Sequence, residues 1–173
     1  MRESDLAPPV EAHLVRQGYR VWVAPDGADY FDIVARRGSE IGLVELKLAD
    51  WRKVFAQAVR RRAWADWVAV ALPRGSLAER LLDRPEAPRA ERVGVWVVEA
   101  GAVRELRPAR PLVGPGEADP FAESRARFLA RLDELESGAI PAGARWLVPG
   151  RPRVGGARRT TRDWRLEEFP DRG

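Results

Sequence analysis

The sequence predicts an α/β fold with a mixed central sheet, and three observations support this prediction. Residues 20–24, 29–36 and 41–48 are rich in alternating and β-branched side chains and are separated by turn residues, which predicts an antiparallel meander of three strands. Residues 51–65 place apolar side chains at helical spacing. They lead into the apolar run 67–72, which is typical of a buried strand entered through a helical crossover.

Further elements complete one domain over residues 1–107. Two prolines stand where a first helix can begin, and Gly18 is a suitable residue to end it. The sequence also predicts a short helix over 76–84 and an apolar strand over 93–98, which can pair with 102–106 as a hairpin. The predicted order is helix, three strands, helix, strand, short helix and two strands.

Residues 108–173 have a different composition. Glycine and proline are frequent up to residue 116, which predicts a linker. A helix is predicted over 121–136, with an apolar stripe made of Phe128, Leu129, Leu132 and Leu135. Beyond Gly138 the chain is rich in glycine, proline and arginine, so we expect an irregular, basic tail.

Composition excludes most common catalytic chemistries. The 173 residues include no cysteine, which excludes thiol catalysis and cysteine-ligated zinc, and His13 is the only histidine. Neither a phosphate-binding P-loop nor a G-x-S-x-G motif occurs. No apolar run approaches the roughly 20 residues that span a bilayer, and the N-terminus has no apolar core of a signal peptide. We therefore expect a cytoplasmic protein in which carboxylate-bound metal chemistry remains open.

The positive charge is concentrated in two segments. Of 30 basic residues only Lys47 and Lys53 are lysines, and a GC-rich genome, such as that of a thermophile, is the simplest explanation of this bias. The net charge is +4, but residues 52–62 contain five basic residues and no acid, namely Arg52, Lys53, Arg60, Arg61 and Arg62. Residues 145–165 contain seven arginines and one acid. Both segments suit a nucleic-acid partner, although a solvated surface explains them equally well.

Three ionisable residues on neighbouring predicted strands form the candidate catalytic site. Glu45 and Lys47 are two apart and share one face of the third strand, and Asp32 in the second strand can lie opposite or diagonal to Glu45. Two carboxylates suit Mg²⁺, or Mn²⁺ in its place. Lys47 would orient the attacking water or neutralise charge on the phosphate. The alternative is an ordinary charged strand face, because E-x-K is a short and common pattern.

These residues resemble the motif of the PD-(D/E)xK nuclease superfamily. Asp32 matches the aspartate of that family and Glu45-Leu46-Lys47 its E-x-K, although Phe31 stands where the family often has proline. Other segments over residues 4–107 are similar to an uncharacterised, phosphodiesterase-annotated branch: Ser4-Asp5-Leu6-Ala7-Pro8-Pro9-Val10, Gly18-Tyr19, Gln57-Ala58 and Ala69-Val70-Ala71-Leu72-Pro73. The resemblance implies a restriction-endonuclease-like core in the order α-β-β-β-α-β. It also implies catalytic roles for Glu11 on the first helix and Gln57 on the second.

Two function classes follow, and a third is compatible with either. The first is a Mg²⁺-dependent nuclease, with DNA favoured over RNA, in which Arg52, Lys53, Arg60 and Arg61 hold the backbone. The second is a non-catalytic nucleic-acid-binding protein on the same fold. The third is a homodimer in which the apolar stripe of the 121–136 helix packs against a twin chain.

Overall fold

A computed structural model describes residues 2–24, 32–49, 58, 61, 63–75, 92–114 and 116–139. The described elements form an α/β fold with a six-stranded mixed sheet. In chain order they are a 3-10 helix Glu3–Leu6, α1 Ala7–Arg16, β1 Arg20–Val23, β2 Ile33–Arg37, β3 Glu40–Leu46, β4 Trp67–Pro73, β5 Gly94–Glu99, β6 Ala102–Arg107 and α2 Ala122–Glu136. No helix in these ranges is both long and apolar enough to cross a membrane.

The strands are arranged in the sheet in their sequence order, β1 to β6. Strands β1, β2 and β3 pair antiparallel, so the predicted meander is confirmed. Strands β3, β4 and β5 pair parallel, which confirms the predicted crossover into residues 67–72. Strands β5 and β6 form the predicted antiparallel hairpin. Its two turn residues, Ala100 and Gly101, both have positive φ, as the commonest two-residue hairpin turn requires.

Two boundaries differ from the prediction where they matter for function. Strand β2 begins at Ile33, so Asp32 stands one residue before the strand rather than inside it. Strand β3 ends at Leu46, so Lys47 follows it. The Asp32 side chain, rather than a main-chain carbonyl, accepts the hydrogen bond of the Leu46 N–H. The main-chain hydrogen bonds between β2 and β3 therefore end next to the charged side chains of Asp32 and Lys47.

The sheet is buried on both faces. On the α1 face, α1 and the 3-10 helix cover Ile33, Val44, Leu46 and Trp67. On the α2 face, Phe128 and Leu132 are fully buried in a cluster with strand residues Val34, Ile41, Leu43, Val68, Val70 and Val95. The stripe assigned to a twin chain thus covers the chain's own sheet, because that face would otherwise expose a row of apolar side chains.

Some predicted elements lie outside the described residues. The helix predicted over 51–65 is described only at Ala58 and Arg61, which are helical, and at 63–65. The short helix over 76–84 and the tail from residue 140 onward are not described. Trp64 is buried in the core cluster of the α2 face.

Candidate active site

The candidate site lies at the carboxyl end of β3. Glu45 is on the α2 face of this strand, while its neighbours Val44 and Leu46 pack on the α1 face. The 3-10 helix packs against β3 and β4. Five charged side chains from four parts of the chain interact here: Glu3, Asp32, Glu45, Lys47 and Arg61. The predicted Asp32, Glu45 and Lys47 therefore do come together.

Asp32 is held against the end of β3 by a main-chain hydrogen bond. Ile33 pairs with Val44, so continuing this register by one residue sets Asp32 opposite Glu45. The Leu46 N–H donates to Asp32 Oδ2 over 2.7 Å. Burial raises the pKa of Asp32 above its ordinary value, and the Leu46 N–H and the Lys47 ammonium oppose this rise only in part. The Leu46 N–H thus holds the Asp32 carboxylate in a buried position, where the ionised form is unfavourable.

Glu45 is the most buried acidic side chain among the described residues, at 3% exposure. The Arg61 Nε donates to Glu45 Oε1 over 2.7 Å, and Arg61 is itself 7% exposed. Burial raises the pKa of Glu45; Arg61 lowers it in part, and the negative charge of Asp32 raises it further. One guanidinium therefore does not offset the burial of two neighbouring carboxylates.

Lys47 makes an ion pair that the sequence analysis did not predict. Its Nζ lies 2.7 Å from Oε2 of Glu3, a half-exposed residue on the 3-10 helix. The negative charge of Glu3 also raises the pKa of Asp32. Glu3 and Lys47 are 44 positions apart, so no spacing rule connects them. The only hint in the sequence was that Glu3 is an acidic residue near the N-terminus, in a segment that could pack against the sheet.

The other predicted site residues are placed differently. Glu11 is exposed on α1, and no hydrogen bond or ion pair joins it to the described part of the cluster, where Glu3 supplies the extra acid instead. Arg61, expected to hold a nucleic-acid backbone, is buried against Glu45, because an unpaired Glu45 would be costly there. The remaining predicted residues, Gln57, Arg52, Lys53 and Arg60, lie outside the described residues.

The donor set of Asp32 and Glu45 suits a divalent cation. Each carboxylate has one oxygen in a hydrogen bond, and the described residues make no other hydrogen bond to either group. Mg²⁺ commonly takes one or two carboxylates and keeps several waters, so two are enough. Both pKa values are raised, and a cation between the groups would favour their ionised forms. Among the described residues no set of three or more acidic, histidine or cysteine side chains has metal-binding geometry.

No protein-family model, curated protein or solved structure matches this chain. The resemblance to PD-(D/E)xK nucleases therefore rests on the chain's own motif residues.

Proposed function

We propose that this chain is a Mg²⁺-dependent phosphodiesterase that hydrolyses the nucleic-acid backbone, built on a restriction-endonuclease-like core. One observation carries the proposal: Asp32, Glu45 and Lys47 lie in one cluster, and both carboxylates have raised pKa values. Buried carboxylates with raised pKa values beside a lysine are more typical of a functional site than of a surface. The order of the elements supports the same family, with a helix, three antiparallel strands and a parallel fourth strand.

Each residue of the cluster has a role in this proposal. Asp32 and Glu45 would hold Mg²⁺, which when bound polarises the phosphate and acidifies a water. The Leu46 N–H fixes the Asp32 carboxylate in position. The Lys47 ammonium orients the attacking water and neutralises charge that develops on the phosphate. Arg61 balances the charge of Glu45, and Glu3 holds Lys47 at the site.

The substrate is proposed to be DNA rather than RNA, held by basic residues that neighbour Arg61 in the sequence. The sequence places Arg52, Lys53 and Arg60 close in the chain to Arg61. Since Arg61 is bonded to Glu45, backbone binding would depend on the other basic residues. Affinity should accordingly fall steeply with salt.

The test is a cleavage assay on plasmid, linear duplex, single-stranded DNA and structured RNA. Wild type and Lys47→Ala are compared in Mg²⁺, in Mn²⁺ and in EDTA. We expect metal-dependent cleavage of at least one DNA substrate, and Lys47→Ala should reduce it by roughly 10²–10³-fold. Glu123→Gln, a change at a highly exposed carboxylate on α2, is the matched control and should cut like wild type.

A second candidate is a non-catalytic nucleic-acid-binding protein. The observation that favours it is that the pairs Lys47–Glu3 and Arg61–Glu45 neutralise much of the cluster without a metal. This function predicts binding that depends on salt but not on divalent cations. Equal binding by wild type and Lys47→Ala in EDTA, with no cleavage of any substrate, would favour it over the enzyme.

A further inference from the structure

Arg74 lies at the carboxyl end of β4, beside the end of the strand that carries the catalytic cluster. Strands β3, β4 and β5 run parallel, so their carboxyl ends lie together at one end of the sheet. The Lys47 N–H donates to the Ala71 carbonyl over 3.1 Å, which continues the pairing of β3 with β4. In this register Lys47 lies beside Leu72, and Arg74 is two residues further along β4. The Cα atoms of Lys47 and Arg74 are therefore roughly 8 Å apart, at about 3.3 Å per residue and about 4.8 Å between strands.

Arg74 is on the same face of the sheet as Glu45. Glu45 pairs with Val70, which is buried on the α2 face. Side chains alternate along a strand, so residues 70, 72 and 74 share that face. The Arg74 N–H donates to the Val98 carbonyl over 3.0 Å, which sets Arg74 beside Glu99 of β5. The side chains of Arg74 and Glu99 form an ion pair there.

Arg74 is far more exposed than the two cations of the cluster. Its side chain is 68% exposed, whereas that of Lys47 is 20% exposed and Arg61 is buried. Its partner Glu99 is also accessible, at 35% exposure. A polyanion that approaches the cluster from solvent would therefore meet Arg74 before it meets Lys47 or Arg61.

A backbone phosphate can replace Glu99 as the partner of Arg74. Exposed ion pairs contribute little to stability, so giving up this one costs little. The planar guanidinium matches a phosphate as well as a carboxylate, with two parallel hydrogen bonds. Successive phosphates of one strand are about 3.4 Å apart along a duplex axis, so roughly 8 Å spans two to three nucleotides. Arg74 is thus placed to hold a phosphate close to the one that Lys47 would contact.

We propose that Arg74 binds a backbone phosphate of a nucleic-acid strand that crosses the carboxyl ends of β3 and β4, and that Glu99 competes with this phosphate for the guanidinium. The inference rests on the proposed function, because the strand is the substrate of the neighbouring cluster. It adds a binding residue outside the basic segment 52–62. Because Arg74 contacts the backbone and not the bases, its contribution does not depend on base sequence.

An ordinary surface ion pair at the other end of the sheet provides a matched control. Arg37 and Glu40 pair over 2.9 Å, and their side chains are 53% and 35% exposed. Since Gly42 pairs with Trp67, Glu40 is set back nine positions from Arg74, or roughly 30 Å at about 3.3 Å per residue. This separation is about three Debye lengths at 0.1 M salt. The control pair therefore has similar chemistry but lies far from the proposed strand.

The experiment is a binding titration of the full-length protein in EDTA, followed by fluorescence anisotropy. The probes are fluorescein-labelled DNA single strands of two unrelated sequences and the matching duplexes. EDTA removes divalent metal, so binding is measured apart from cleavage. Each titration is repeated at several KCl concentrations between about 50 and 300 mM, because the slope of log affinity against log salt reports the number of phosphates neutralised.

The variants test both contacts of the guanidinium. Arg74→Gln should weaken binding about two- to fivefold for every probe and reduce the salt slope by about 0.7 for single strands and about 0.9 for duplexes. Arg74→Lys keeps the charge and should keep the slope. Glu99→Gln should strengthen binding about twofold, and this gain should disappear in the double variant Arg74→Gln/Glu99→Gln. Arg37→Gln and Glu40→Gln should leave the affinity within about 1.5-fold of wild type.

The outcomes separate this inference from the proposed function. If Arg74→Gln binds like Arg37→Gln with an unchanged salt slope, the inference is overturned and the proposed function is unaffected. A reduced slope in Arg74→Gln, with no cleavage by wild type in Mg²⁺, would support the inference and count against the enzyme. A gain in Glu99→Gln that persists without Arg74 would overturn the competition, because Glu99 would then act by general repulsion. No binding of any probe by wild type would overturn both.

Discussion

Two aspartates each accept a main-chain hydrogen bond from one end of β3, yet their surroundings differ. At the carboxyl end, Asp32 Oδ2 accepts from the Leu46 N–H over 2.7 Å. At the amino end, Asp66 Oδ2 accepts from the Ile41 N–H, also over 2.7 Å. Asp66 additionally lies 3.3 Å from Arg125 Nε of α2, and it remains 37% exposed. Asp32 instead lies among two negative charges, Glu3 and Glu45, and two positive charges, Lys47 and Arg61, and burial still raises its pKa.

The same kind of main-chain hydrogen bond therefore holds an aspartate in two different charge environments. The Asp66 charge is balanced by an arginine that also ties α2 to the sheet. The burial of Asp32 is not balanced, since the pKa values of both Asp32 and Glu45 are raised. Unfavourable charge of this kind is common at active sites, where binding a cation or substrate offsets it. Asp32 and Asp66 therefore form a matched pair for mutation.

The largest expected effect is on cleavage. Asp32→Asn keeps the size of the side chain and an acceptor for Leu46, but removes half of the negative charge proposed to hold Mg²⁺. We expect the cleavage rate at saturating substrate to fall by roughly 10²–10³-fold. Asp66→Asn makes the same chemical change at the other end of the strand and should cut within a few-fold of wild type. Equal rates for the two variants would contradict the assignment of Asp32.

The next effect concerns the buried ion pair of Arg61 and Glu45 at the carboxyl end of β3. Arg61→Ala leaves Glu45 buried without its guanidinium, which typically costs about 3–5 kcal/mol of unfolding free energy. Urea unfolding at neutral pH measures this loss. The loss should be smaller at low pH, because a protonated Glu45 carries no charge to neutralise. A cost that does not change with pH would show that Arg61 acts through packing instead.

Mg²⁺ should stabilise the folded protein through Asp32, at the carboxyl end of β3, and not through Asp66, at its amino end. If Asp32 and Glu45 bind Mg²⁺, a concentration ten times the dissociation constant stabilises the folded protein by about 1.4 kcal/mol. Thermal unfolding with Mg²⁺ and with EDTA measures the gain. Asp66→Asn should retain it, and Asp32→Asn should lose it. A gain that survives in Asp32→Asn places the cation elsewhere.

The smallest effect is on the unfolding free energy without metal. This free energy should rise in Asp32→Asn and fall in Asp66→Asn. Because the folded-state pKa of Asp32 is raised, its ionisation disfavours folding, and stability is lost as pH rises through that pKa. Asp32→Asn avoids this loss, so we expect a gain of roughly 0.5–2 kcal/mol at neutral pH. Asp66→Asn weakens a partly exposed ion pair and should lose up to about 1 kcal/mol.

Measuring both variants by urea unfolding from pH 3 to pH 8 tests the sign. The advantage of Asp32→Asn over wild type should be least below the ordinary aspartate value of 3.8 and should increase with pH. An advantage that shrinks as pH rises would mean that the pKa of Asp32 is lowered by its partners rather than raised by burial.

Much of the fold could be predicted because strand periodicity is local. Alternating side chains placed β1, β2 and β3 in a meander, and the apolar run at 67–72 indicated the buried parallel strand. The period of two predicted that Glu45 and Lys47 share a face, and pairing of the second and third strands allowed Asp32 to lie opposite Glu45. The ends of β2 and β3 were predicted less accurately. The Leu46 N–H donates to the Asp32 carboxylate rather than to a main-chain carbonyl, so the strand pairing stops earlier than predicted.

The rest depended on contacts between distant parts of the chain. The apolar stripe of α2 was recognised, but not that the chain's own sheet covers it. Arg61 looked like one basic surface residue among several, and only its burial against Glu45 shows a different role. Glu11 was implied by the resemblance to the family's first helix, whereas the element that contacts β3 is the 3-10 helix, which carries Glu3.

The amino-acid sequence by itself determined the pairing of the first three strands, the hairpin of the last two and the candidate trio Asp32, Glu45 and Lys47. Side-chain periodicity and turn residues act over a few positions, so they can be read directly from the chain. The tertiary structure alone decided which charges face one another and which are buried. The ion pairs of Lys47 with Glu3 and of Arg61 with Glu45 arise only when distant segments pack and exclude water.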